Sequence, residues 1–155
     1  MGKDVYHDHV KQLIVNRLRT MGCLVETEVF TPKSSKQGQR YRIDIVVQLN
    51  YVGKEIDIIE LKMKQEEISL EALERAKIIR NYAHKTYFCL PVGEEFNNIT
   101  LLCDHEGIGL LLVNTSTVEV PSGHLFTVVE SDLNKKPKKW DGLYKRLRDR
   151  YSYLF

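Results

Sequence analysis

The chain has 155 residues, 43% hydrophobic and 28% charged, with a net charge of +2, the make-up of one ordinary globular domain with room for a core. No apolar run approaches the roughly 20 residues a membrane helix needs, and "MGKDVYHDHVKQ" lacks the apolar centre of a secretory signal. Three cysteines cannot all pair within one chain, so the expectation is a reduced, cytoplasmic protein with no membrane partner.

Helical spacing of Val10, Leu13, Ile14, Leu18 and Met21 predicts a first helix over Val5 to Met21, ended by Gly22. "CLVETEVF" alternates as a strand, with Glu26 and Glu28 on its solvent side. "TPKSSKQGQR" is a polar, basic loop. "YRIDIVVQL" and "EIDIIELKM" are two strands joined by a short turn, "NYVGK". A helix follows over Ser69 to Ala83, capped by Ser69, with Leu70, Leu73, Ala76, Ile79 and Ala83 inward. "TYFCLP" and "IGLLLVN" are buried strands around a helix closed by Gly107, and "TVEVP" and "HLFTVVE" form a further hairpin.

The order is that of an α/β domain with a mixed sheet and helices on both faces. Residues 1–132 make up the body. Residues 133–155 are a basic, helical C-terminal extension of the same domain: eight basic and two acidic residues give it +6, which leaves −4 for the rest. Such a basic end suits phosphate contacts, and equally a solvated helix face.

The chemistry sits on the two central strands. Strand side chains alternate between faces, so Ile43, Ile45 and Val47 share one side of the first strand and Asp44 takes the other. Ile59, Leu61 and Met63 share one side of the second, opposite Glu60, Lys62 and Lys64. A turn centred on Val52 pairs residues whose numbers sum to 104, which sets Asp44 across from Glu60. Directly opposed Cβ atoms lie about 4.5–5.5 Å apart, and two carboxylates that close repel unless one is protonated or a cation intervenes. Two carboxylates and a main-chain carbonyl suit a hard divalent cation such as Mg²⁺. Lys62 points into the same place, where it can orient or deprotonate a water or neutralise charge on a phosphate.

Asp44 lies in "RIDIVV", and fifteen residues separate it from the Glu60 of "ELK". This pattern resembles the D-x(n)-(D/E)-x-K signature of the PD-(D/E)XK, or restriction endonuclease-like, nuclease superfamily and its archaeal and viral members. The resemblance runs from about Val5 to Asn114 in element order as well as motif. It implies a restriction endonuclease-like core in αβββαβ order and a metal-dependent DNA endonuclease. Mg²⁺ would be held by Asp44, Glu60 and the Leu61 carbonyl, with Mn²⁺ able to substitute, and Lys62 would be the catalytic lysine. The DNA would be double-stranded or branched, and the enzyme a homodimer. There are departures from the pattern. Where many members carry a first-helix Glu this chain has Lys11, with Asp8 or His9 one turn earlier as replacements. Arg75 stands where some members have Gln, and Ile43 where Pro often precedes the first acid.

Lys36, Arg40, Lys64 and Arg75 are the candidate nucleic-acid contacts. Asp57 is expected near the turn, exposed and without a catalytic role. Two alternatives stand beside the nuclease reading. The acids could be a structural ion cluster with Lys62 and Arg42. The chain could also be a non-catalytic nuclease-fold protein that binds nucleic acid or a protein partner.

Overall fold

A computed structural model describes residues 3–32, 40–48, 55–116, 123–138 and Leu147. Helix α1 spans Lys3–Thr20 and buries Val10, Ile14, Val15 and Leu18 along one stripe. Met21, expected to continue that stripe, lies past the helix end and is exposed. The strands β1 (Leu24–Phe30), β2 (Arg42–Gln48) and β3 (Ile56–Leu61) come next. Then follow α2 (Leu70–Ile79), β4 (Lys85–Pro91), α3 (Asn97–Glu106), β5 (Gly109–Val113) and β6 (Leu125–Val129). Ser69 caps α2 by accepting the Ala72 N–H at 3.1 Å. Leu70, expected inward, is exposed on the first turn of that helix. Among the described residues no helix is long and apolar enough to cross a membrane.

The six strands form one mixed sheet in chain order, β1 to β6. β1, β2 and β3 are antiparallel, β3, β4 and β5 are parallel, and β6 returns antiparallel to β5. Each parallel step needs a crossover, supplied by α2 and then α3. Right-handed crossovers that advance in one direction put both helices on the same face. There Leu73 and Ala76 of α2 and Ile99 and Cys103 of α3 pack on Phe88, Leu90 and Leu110. α1 covers the other face over Ile45, Ile59, Leu61, Tyr87 and Cys89. β3 is therefore buried on both sides, and all six of its residues are buried. β6 pairs with β5, and "TVEVP", expected to form its hairpin, lies outside the described residues.

Two glycines hold the last strands close. At Gly107 the backbone has φ +74 and closes α3. At Gly109 a Cβ would run into the Tyr87 ring, so only the missing side chain lets β5 lie against β4 there.

The expected face pattern fails at one point. Ile43 joins Val46, Ile56 and Ile58 on the α2 side, whereas Ile45 and Val47 face α1. An irregularity on the neighbouring strand coincides with it. Glu28 sits between the pairs Thr27/Ile45 and Val29/Ile43 with φ +53. A left-handed residue inside a strand interrupts its alternation, at a cost of about 1 kcal/mol for a non-glycine. Val25 faces α1 and Val29, four residues on, packs with the α2 side. Glu28 itself pairs with Lys11 of α1 at 2.9 Å. Glu26, expected on a solvent face with Glu28, is buried.

Candidate active site

The register of β2 and β3 sets the site. Ile45 faces Ile59 and Val46 faces Ile58, so the next step toward the open end brings Asp44 and Glu60 together. The main-chain ladder stops at that step and side chains take over. The Asp44 N–H donates to Glu60 Oε2 at 3.1 Å, and the Leu61 N–H donates to Asp44 Oδ2 at 2.9 Å. The two carboxylates thus lie in the seam between the parting strands, each holding the other strand's backbone. They are 8% and 4% exposed, respectively. In a strand the N–H and C=O of one residue point to the same side. The Leu61 carbonyl therefore turns toward this seam, while Lys62 N–H has moved on to the Cys89 carbonyl of β4 at 2.9 Å.

On the α2 face the seam opens into a cleft of about 210 Å³, lined by Glu60, Lys62, Glu67, Glu71, Arg75 and Phe88 among others. β3 ends at Leu61, so Lys62 and Lys64 lie just beyond the strand and not within it. Lys62 is half-buried and makes no ion pair among the described residues. Arg75 projects from α2, and its Nη2 lies 3.2 Å from Glu60 Oε1 and also meets the Arg42 carbonyl. Its Nε is buried with no acceptor among the described residues. Glu67 accepts the Met63 N–H on Oε1 at 3.3 Å and has its Oε2 buried without a partner among the described residues.

Burial is the first cause that pushes the Glu60 proton affinity up, and the charge of Asp44 adds to it; Arg75 acts in the opposite direction. This is the chemistry of an oxygen-only site with an excess of negative charge, and it fits a hard divalent cation. Among the described residues no group of three or more His, Cys, Asp or Glu side chains is arranged to hold a metal. A cation here would rest on two carboxylates, one carbonyl and water.

Several expected participants are elsewhere. Asp8, His9 and Lys11 are on α1, which packs on the opposite face, and none of them lines the cleft. Lys11 is held by Glu28 and, at 3.6 Å, by Asp8. The ion partner of Glu60 is Arg75; Arg42 offers only its carbonyl, with its side chain exposed. Lys64 and Arg40 are exposed, and Lys36 lies outside the described residues, as does the extension from residue 139 except Leu147. Leu147 is helical and buried against Ile43 and Ile58.

Asp57, expected exposed, is buried on the α1 side of β3, and its Oδ1 has no hydrogen-bond partner among the described residues. It pairs across the ladder with Val47 and Lys85, inside the sheet rather than in the turn. Glu67 was not marked by the sequence, since a single 3₁₀ turn over Gln65–Glu67 is too short to show a period.

No family model matches the chain, and no curated protein does. Its fold is similar to that of a solved structure described as "SPO1766 protein of unknown function from Silicibacter pomeroyi". The two share 19% identity with a TM-score of 0.55, over 92% of this chain and 82% of that one.

Proposed function

We propose that the protein is a metal-dependent nuclease with a restriction endonuclease-like core that hydrolyses phosphodiester bonds in DNA. One observation carries the reading: Asp44 and Glu60 are buried together where β2 and β3 part, beside a cleft that also holds Lys62 and Arg75. The strand order and the crossover helix after the "ELK" strand agree with it.

Asp44, Glu60 and the Leu61 carbonyl would hold Mg²⁺ or Mn²⁺. When bound, such an ion polarises a phosphoryl oxygen and lowers the pKa of its water. Lys62, half-buried in the cleft, orients the attacking water and offsets charge that gathers on the phosphate. Lys64 and Arg40, both exposed, grip the backbone farther out. A homodimer would present two such clefts to the two strands of a duplex.

The second reading is a nuclease-fold protein that binds nucleic acid or a partner without cutting. The ion pair between Arg75 and Glu60 favours it, because a carboxylate already answered by a guanidinium has less need of a metal. A cleavage panel of linear, nicked, flapped and four-way DNA with Mg²⁺ and Mn²⁺, run beside Asp44→Asn, separates the two. Cleavage by the wild type and none by the variant supports the nuclease. No cleavage of any substrate supports the binding protein.

A further inference from the structure

A cation already stands on the carboxylate pair. Arg75 Nη2 is shared between Glu60 Oε1 and the carbonyl of Arg42, the residue two before Asp44. The adjacent Nε is buried and has no acceptor among the described residues. A guanidinium committed to one carboxylate meets it as a fork, with two parallel N–H···O bonds. Here the fork edge is half filled. Glu60 Oε2 meets the Asp44 N–H instead, so the guanidinium bonds only one oxygen of this carboxylate. A buried donor left unpaired is costly, so this is an unfinished contact.

Charge balance points the same way. Two ionised carboxylates and one guanidinium leave one negative charge over. A divalent cation between the carboxylates would neutralise them and make Arg75 the surplus charge. A phosphodiester carries one negative charge and two non-bridging oxygens, the geometry that an arginine fork accepts.

Building on the nuclease reading, we propose that Arg75 is a resident counter-ion of the metal-free site. A divalent cation displaces it from Glu60, and the freed Nε–Nη2 edge then takes a phosphate of the nucleic acid. Glu60 is thus kept paired until a metal arrives, and a phosphate contact becomes available only then.

The test is calorimetric titration with Mn²⁺ at about pH 8, where protons compete least for a carboxylate of raised proton affinity. It is paired with fluorescence anisotropy of labelled duplex and four-way DNA in Ca²⁺. Arg75→Gln is expected to bind Mn²⁺ about tenfold more tightly than wild type, since a competing charge is gone. It should bind DNA about tenfold more weakly in Ca²⁺, since the fork is gone. Arg75→Lys keeps the charge without the fork, so its Mn²⁺ affinity stays near wild type while DNA binding falls. It also serves if Arg75→Gln does not fold.

A purely structural ion pair predicts lower melting temperature with Mn²⁺ affinity unchanged or weakened, and that result overturns the proposal while leaving the nuclease reading intact. If neither wild type nor variant takes up Mn²⁺, the nuclease reading falls and this one with it.

Discussion

β3 carries a buried carboxylate near each end, and the two environments differ. Asp57, at the start of the strand, faces α1 among Glu55, Lys85 and Glu130, and its proton affinity is pushed up to about 7 by burial first and by Glu55 second. Glu60, at the other end, has its proton affinity raised by burial and by Asp44. Desolvation alone therefore does not mark a site. Both have a second acid close by, Glu55 for Asp57 and Asp44 for Glu60; what separates Glu60 is convergence: a carbonyl turned the same way, an arginine on one oxygen and a cleft leading to solvent. Asp57 instead has an oxygen sealed away without a partner among the described residues, which costs stability.

Substitutions at the Glu60 end should break function. Asp44→Asn keeps an acceptor for the Leu61 N–H and so keeps the fold, yet cleavage with Mg²⁺ should fall by about 10³-fold or more. Lys62→Ala should lower it by about 10²- to 10⁴-fold. Single-turnover assays on the best substrate of the panel measure both. Glu60→Gln should remove the calorimetric heat of Mn²⁺ binding. Retention of that heat would move the metal away from the seam.

At the other end the effect should be on stability alone. The unfolded chain loses the Asp57 proton near its ordinary value of 3.8, while the folded chain keeps it to about pH 7. Stability should therefore fall as pH rises through that window and level off above it. Asp57→Asn should flatten that slope and, in urea melts at about pH 8, stabilise by about 1–3 kcal/mol, with cleavage unchanged. A loss of cleavage in this variant would erase the distinction between the two ends. The smallest effect is expected from Ser69→Ala, which removes the cap of the helix that carries Arg75 and should cost about 1 kcal/mol.

Strand parity and a turn centre were enough to place Asp44 against Glu60, because the register of a hairpin is set once its apolar faces are known. The Ser69 cap was equally legible, since a short polar residue before an apolar helical stripe has few other uses. The fate of Asp57 was not. Its burial comes from β4 lying alongside, a pairing between distant segments that no local pattern announces. The displacement of Ile43 was hidden as well, because it accompanies one unusual backbone angle at Glu28 that no local sequence pattern announces. Lys11, Asp8 and His9 were drawn toward the site by motif alone. None of them lines the cleft, and Lys11 is held by Glu28 instead.

At the seam, two rungs of the sheet are made by ionisable groups instead of peptide carbonyls. The amide protons of Asp44 and Leu61 are consequently built-in indicators. Their chemical shifts and exchange rates will follow the state of the two carboxylates, whether a proton, a metal or a substitution alters them. Two backbone resonances can thus report on this site before any substrate is known.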